Sequence, residues 1–122
     1  MTITLNHTIV PARDKVAAAR FFARIFGLKY NGRGGHSAPV RVNRSMTLPF
    51  DEAAEFESHH YAFHVGNREF DAILARIQRA KIAFGSAPWS LDDGKLNRWN
   101  GGRGFYFEDP NGHVLELMTV PQ

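Results

Sequence analysis

The sequence predicts an α+β fold in which one unit, a strand followed by a helix and three further strands, occurs twice. The main observation is a pair of helical segments that carry apolar residues at the same spacing of i, i+3, i+4 and i+7. A strand-like segment precedes each helix, and two more strands close the chain. The apolar positions are Ala18, Phe21, Phe22 and Ile25 in one helix, and Phe70, Ile73, Leu74 and Ile77 in the other. Because helices this short are marginal alone, both stripes must pack on a sheet.

Residues 1–57 are predicted to form the first unit. Its helix begins after Asp14, a residue type that caps helix N-termini, and ends at Gly27, the residue type favoured at C-termini. Pro11 is predicted to end the first strand. The other elements are a strand Leu5–Val10, the start of a strand at Leu28–Tyr30, a glycine-rich loop 31–37, strands Pro39–Asn43 and Ser45–Phe50, and an acidic linker 51–57.

Residues 58–122 are predicted to repeat the pattern. Asn67 is the expected helix N-cap, and Asp109-Pro110-Asn111-Gly112 suits a type I turn, with His113 serving the hairpin. The elements are a strand His59–Val65, a helix, a strand Lys81–Phe84, a long loop Ser86–Gly102, and hairpin strands Phe105–Glu108 and Val114–Met118. The two helices also share a local pattern, Phe22-Ala23-Arg24-Ile25 and Leu74-Ala75-Arg76-Ile77, at the same position.

Composition narrows the class of protein. With 122 residues, 43% of them hydrophobic and 22% charged, the chain is long enough for one globular domain with a real core. It has no apolar run of the roughly 20 residues that cross a bilayer, so no membrane partner is expected. The absence of cysteine excludes disulfides, thiolate metal sites and cysteine nucleophiles, and it fits a cytoplasmic protein. The N-terminal residues 1–5 have no basic region and no cleavage pattern, so no signal peptide is expected.

The net positive charge is only weak evidence for nucleic-acid binding. The net charge is +3 and the pI is about 9.6, but the basic residues are dispersed and form no block. We therefore expect no nucleic-acid partner. A small anionic substrate would account for part of the positive charge as well.

Three polar residues occupy strand positions that alternation would assign to apolar side chains. They are His7 in the first strand, His60 in the strand that restarts the pattern, and Glu116 in the last strand. A carboxylate on a buried face costs several kcal/mol unless it is paired or bound to a metal. Two imidazoles and one carboxylate form a ligand set that suits Zn²⁺, Mn²⁺, Fe²⁺, Co²⁺ or Ni²⁺ and leaves coordination positions open.

At these residues the chain resembles the vicinal oxygen chelate superfamily, the group of glyoxalase I, bleomycin resistance proteins, fosfomycin resistance enzymes and extradiol dioxygenases. The resemblance covers nearly the whole chain, and its most specific part is the run Asp109-Pro110-Asn111-Gly112-His113-Val114-Leu115-Glu116. It implies a single glyoxalase-like domain, 1–122, whose two βαβββ modules form a curved mixed sheet around a cleft, usually within a homodimer. It assigns one divalent metal ion per chain to His7, His60 and Glu116.

In this superfamily, activity depends on chelation of a small substrate through vicinal oxygens, with stabilisation of an oxyanion or enolate. The resemblance leaves the reaction open among lyase, isomerase, transferase and dioxygenase types. Tyr106 matches a tyrosine near the metal in fosfomycin-modifying members, but Ile9 replaces their threonine and no arginine follows Glu116. These departures argue against fosfomycin modification. His64, which shares a strand face with His60, is a candidate base.

Arg98, Trp99 and Arg103 border the long loop and are candidate substrate-binding residues for an anionic or aromatic molecule. The alternative function is a non-catalytic protein of the same fold that sequesters a small molecule. The two functions differ in metal dependence and turnover. A fourth metal ligand has no clear candidate in Ser45–Phe50, and Glu52 and Glu55 lie just beyond it.

Overall fold

The structure is a computed structural model that describes residues 2–32 and 34–122. The chain divides between Glu57 and Ser58 into two compact units. Each unit combines one helix with a mixed sheet, so the predicted α+β class is confirmed. That the units form a single domain around a cleft stays a prediction. None of the helices in the described part of the chain has the length and apolar character needed to cross a lipid bilayer.

The first unit contains one helix and a three-stranded sheet. The order of strands in the sheet is β1-β3-β2, with β1 parallel and β2 antiparallel to the central strand. Its elements are β1 (Val10–Ala12), α1 (Lys15–Phe26), β2 (Ala38–Arg41) and β3 (Thr47–Glu52).

The caps predicted for α1 are confirmed. The Asp14 carboxylate accepts the amide hydrogen of Ala17 at 3.0 Å, and Gly27 adopts the left-handed conformation with φ 71°. Leu28 was predicted to start a strand, but its amide donates to the carbonyl of Ala23 at 2.8 Å, which closes the helix end instead. Leu28–Tyr30 is therefore not a strand, and the first unit is βαββ rather than βαβββ.

Strand boundaries of the first unit also differ from prediction. Pro11 lies inside β1 instead of ending the first strand, because β1 is the edge of this sheet and an edge strand tolerates a missing N–H. The prediction of a strand at Leu5–Val10 is wrong except at Val10, where β1 begins. His7 lies outside β1 and meets Thr47 only in an isolated parallel bridge. The strand β3 continues through Glu52, which shortens the predicted acidic linker. The predicted loop 31–37 is irregular where described; Arg33 lies outside the described residues.

The second unit is βαβββ, as predicted. Its sheet has the order β4-β7-β6-β5, with β4 parallel to β7 and the remaining pairs antiparallel. The turn of the closing hairpin is confirmed by a bond from the Gly112 amide to the Asp109 carbonyl at 3.0 Å. The elements are β4 (His60–His64), α2 (Asn67–Arg79), β5 (Phe84–Gly85), β6 (Gly104–Glu108) and β7 (Val114–Met118).

Two local predictions for the second unit are wrong. Asn67 is the first residue of α2 rather than its cap; the cap is Gly66, which makes no side-chain bond to the helix end. The strand predicted at Lys81–Phe84 shrinks to Phe84–Gly85. The amides of Lys81 and Ile82 bond to the last carbonyls of α2, so they are not available to a sheet.

In the second unit, α2 packs on one face of the sheet and does not cover the other face. The stripe of α2 buries Phe70, Ile73 and Ile77, and the rings of Phe70 and Phe105 meet edge to face at 5.2 Å. Burying each such side chain stabilises the fold by about 1.5–3 kcal/mol. Because side chains alternate along a strand, Tyr106 and Glu116 lie on the face opposite α2.

Candidate functional site

The candidate site lies on the face of the second sheet that α2 does not cover. Across adjacent strands, Ala62 of β4 is paired with Glu116 of β7, and Glu116 is paired with Tyr106 of β6. Paired residues share a sheet face, and His60 is two residues from Ala62 on the same strand. The register therefore brings His60, Glu116 and Tyr106 to one face.

Two of the predicted metal ligands are in direct contact. The Nε2 of His60 lies 3.1 Å from Oε1 of Glu116. The Glu116 side chain is 5% exposed, whereas that of His60 is 49% exposed. A carboxylate this deeply buried is costly unless a positive charge or hydrogen bonds compensate it. The Glu116 carboxylate is thus a buried hydrogen-bond acceptor, and the His60 imidazole lies between it and solvent.

Tyr106 provides the second contact to the carboxylate. Its hydroxyl donates a hydrogen bond to Glu116, and its ring lies 5.8 Å from the His60 ring. The pKa of Tyr106 is raised well above its usual value, first by burial and then by the hydrogen bond and negative charge of Glu116. The phenol is therefore protonated at neutral pH and donates its hydrogen to the Glu116 carboxylate.

An aromatic row continues from Tyr106 into the long loop. The Trp99 ring meets the Tyr106 ring edge to face at 5.9 Å, and the Trp89 ring lies 6.3 Å from that of Trp99. Trp99 belongs to a single 3₁₀ turn, Trp99–Gly101. The structure thus places the predicted substrate-binding residue Trp99 beside the site, together with Trp89.

His113 holds the strand that carries His60. Its side chain is fully buried, and its Nδ1 accepts the amide hydrogen of His59 at 2.9 Å. The carbonyl of His59 accepts from Val114 at 2.9 Å, so two bonds join the strands next to His60. An accepting Nδ1 means that the hydrogen of the neutral ring is on Nε2. The prediction that His113 serves the hairpin is confirmed, but this bond to His59 was not foreseen.

Arg103, predicted to bind substrate, lies on the helix side of the sheet. Its guanidinium donates to Asp71 at 2.8 Å and to Asn67 at 2.9 Å, and it lies 4.4 Å above the Phe70 ring. These contacts turn the side chain away from Glu116 and hold α2 against β6. The structure does not bring Arg103 to the candidate site.

Two other predicted residues are less tightly placed. The Nε2 of His64 donates to the carbonyl of Thr119 at 3.2 Å. His64 shares the strand face of His60 but lies four residues along it, about 13 Å away at the rise of a strand. Arg98 is exposed and precedes the turn that carries Trp99. The roles predicted for both stay predictions.

His7, the third predicted ligand, belongs to the first unit and is exposed there. Its Nδ1 donates to the Asn6 side-chain oxygen at 2.8 Å, which leaves Nε2 as the nitrogen with a free lone pair. Within the described ranges, no three His, Asp or Glu side chains are arranged to hold a metal ion. The predicted set draws on both units, and it stays a prediction.

Comparison of the two registers bears on a fourth ligand. His7 meets Thr47 as His60 meets Val114, so Pro49, two residues after Thr47, corresponds to Glu116. Pro39, which pairs with Pro49, corresponds to Tyr106. A proline ring offers no metal-binding atom. The strand of the first unit therefore supplies no counterpart to the Glu116 carboxylate.

Known proteins are similar to this chain in sequence and in fold. The family model described as Glyoxalase/Bleomycin resistance protein/Dioxygenase superfamily matches residues 4–117. Glutathione transferase FosA of Serratia marcescens is 27% identical over 124 residues, which cover 96% of this chain and 81% of that protein.

Two solved structures are more similar in sequence. Oxidase ChaP-H2 is 43% identical with a TM-score of 0.93, covering 99% of this chain and 96% of the other. Oxidase ChaP-H1 is 40% identical with a TM-score of 0.92, covering 98% of both chains. A FosX from Mesorhizobium loti, 19% identical with a TM-score of 0.71, shares the fold.

Proposed function

Because the chain belongs to the Glyoxalase/Bleomycin resistance protein/Dioxygenase superfamily, we propose that it is a divalent-metal-dependent enzyme that binds a small substrate through vicinal oxygens. His60 and Glu116 are two of the ligands, and His7 is the third ligand in this proposal. The observation that carries it is the 3.1 Å approach of the His60 imidazole to a Glu116 carboxylate that is 5% exposed.

The chemistry of the two donors fits a metal ion. Imidazole nitrogen and carboxylate oxygen bind Zn²⁺ at about 2.0–2.2 Å. Two donors at such distances and at right angles are about 3 Å apart, which is close to the separation of His60 and Glu116. The absence of a side-chain donor at Pro49 favours a three-residue set with open positions for substrate and water.

The chain's own groups would prepare the site in two ways. Tyr106 donates to Glu116 and so fixes the orientation of the carboxylate, as partners of metal ligands commonly do. The half-exposed ring of His60 marks the side from which a substrate arrives. A divalent metal bound there would supply Lewis acidity toward negative charge that develops on substrate oxygen.

Among lyase, isomerase, transferase and dioxygenase types, the 43% identity to a protein named an oxidase favours an oxygen-dependent reaction. The relative named a glutathione transferase is less similar, at 27% identity. We place the enzyme in the cytoplasm as a homodimer with a small-molecule substrate. Light scattering tests the dimer, since a monomer at micromolar concentration would contradict it.

The decisive experiment is metal binding to purified chain after chelator treatment. Calorimetric titration with Zn²⁺, Mn²⁺, Ni²⁺, Co²⁺ and Fe²⁺ should give one ion per chain for at least one of them. His60→Ala and His7→Ala should each weaken that binding by more than about 100-fold, beyond the 10–100-fold typical for partners of ligands. His36→Ala is the matched control, since His36 is a loop residue with a side chain that is 90% exposed. Absence of binding by every metal would reject the proposal.

A further inference from the structure

Trp89 is an exception among the large apolar side chains of the second unit. It is 80% exposed, although aromatic side chains of this size usually contribute to a core or an interface. Trp99 next to it is 41% exposed. Exposed aromatic groups that lie together are a common feature of binding surfaces. The exposed indoles of Trp89 and Trp99 are therefore a candidate ligand-binding surface.

The loop that carries both indoles is tied down by its own polar groups. The Asp93 carboxylate accepts from the amides of Ser86 and Lys95 and from the Ser86 hydroxyl. The Asn97 side chain donates to the Ser86 carbonyl at 3.0 Å and accepts from the Trp99 amide at 3.2 Å. A surface held in this way loses little conformational entropy when a ligand binds.

The indoles are continuous with the candidate site. Trp99 contacts Tyr106, and the Tyr106 hydroxyl donates to Glu116, so Trp89, Trp99 and Tyr106 form one row that ends at the buried carboxylate. Glu108 lies two residues from Tyr106 on β6 and therefore on the same sheet face. A ligand with an oxygen at Glu116 can extend along this row.

A cavity of about 490 Å³ lies at the far end of the row. Its wall combines apolar groups, including Pro88 and Leu91, with the Trp89 indole and the carboxylates of Asp92 and Glu108. Among the described residues that line it, none is basic. Flat apolar groups fit such a wall, positive charge is favoured by the indole and the carboxylates, and negative charge is repelled.

We propose that this cavity is a subsite for an aromatic ring that is neutral or positively charged. Trp89 in the cavity wall is its main contact, and Trp99 lies beside Trp89. The assignment of the ring to the substrate rests on the proposed function. The binding of the ring does not require a metal, so the two proposals can be tested apart.

The test uses phenethylamine and phenylacetate, which have similar rings and chains but opposite charges and no vicinal oxygens. Ligand-detected NMR on the metal-free full chain should show binding of phenethylamine and at least tenfold weaker binding of phenylacetate. Trp89→Leu should weaken phenethylamine binding about tenfold. Tyr30→Leu, an aromatic change in a cavity of the first unit, is the matched control and should change nothing.

The role of the two carboxylates in the cavity wall is tested by Asp92→Asn combined with Glu108→Gln. This double change should bring the affinities for phenethylamine and phenylacetate within threefold of each other. Equal binding of both probes to the wild type, or unchanged phenethylamine binding in Trp89→Leu, would overturn the subsite. Loss of self-association in Trp89→Leu without loss of probe binding would assign Trp89 to a contact between copies, and would overturn it too. A chain that binds phenethylamine but no metal would keep the subsite and reject the metal-dependent enzyme.

Discussion

His60 and Glu116 come from strands that are paired in parallel, and their side chains meet at 3.1 Å although 56 residues separate them in the chain. One partner is half exposed and the other is buried. A buried carboxylate of this kind is a poor contributor to stability, because its desolvation offsets much of what its partners supply. Its presence on a sheet face is explained more readily by ligand binding than by folding.

The first prediction follows from the cost of burying the Glu116 carboxylate. Glu116→Gln should leave the free energy of unfolding of the metal-free chain unchanged or raise it by up to about 1–2 kcal/mol, since a neutral amide costs less to bury. The same change should weaken metal binding by more than about 100-fold. Chemical denaturation and calorimetric titration measure the two effects. A variant with lower stability and unchanged metal affinity would show that Glu116 is a folding residue.

His113 is predicted to matter for stability through one hydrogen bond. His113→Ala should lower the free energy of unfolding by about 2–4 kcal/mol, because it opens a cavity and leaves the His59 amide without its acceptor. His113→Asn should recover part of the loss, since its side-chain oxygen can accept the same hydrogen. Urea denaturation measures these values, with His36→Ala as an exposed control expected within about 0.5 kcal/mol of wild type. Equal losses in the Ala and Asn variants would argue against the hydrogen bond.

The alkaline side of the stability profile is predicted from Tyr61. Burial, followed by the negative charge of Asp109, raises the pKa of Tyr61 to about 12, above its ordinary value of 10.0. A raised folded-state pKa contributes stability that is fully present below pH 10 and is lost as pH rises to about 12. Unfolding measured between pH 9 and pH 12 should therefore show a decline that is smaller in Tyr61→Phe. Phenolate absorbance should give the matching titration, and a normal pKa for Tyr61 would contradict this.

Gly85 is predicted to be required for the position of the loop that carries Trp89 and Trp99. A Cβ at this residue would clash with the backbone carbonyl oxygen of Ser90, so the backbone of the loop would have to move. Gly85→Ala should cost about 1–3 kcal/mol or more in stability and should change the tryptophan emission. Gly35→Ala is the control, because a Cβ there meets nothing within 4 Å. Unchanged emission in Gly85→Ala would mean that the loop adapts without moving Trp89 and Trp99.

Local sequence rules predicted the elements whose stabilising groups are close together in the chain. The cap at Asp14, the glycine at Gly27 and the turn at 109–112 depend on atoms within a few residues of one another. The helix stripes were predictable for the same reason, since their period is set by the helix itself. Glu116 was singled out because it stands among the apolar residues of a strand, and it is buried there. His60, in contrast, lies on the exposed face of β4.

Only the tertiary structure decided which distant groups meet. Arg103 borders the predicted site in sequence, yet Asp71 and Asn67 of α2 bind its guanidinium on the other side of the sheet. His113 accepts from a residue 54 positions away, and Pro11 is tolerated because its strand is at a sheet edge. Such contacts depend on the register of paired strands and on which face of the sheet a helix covers. Neither can be predicted from the spacing of residues that are close in sequence.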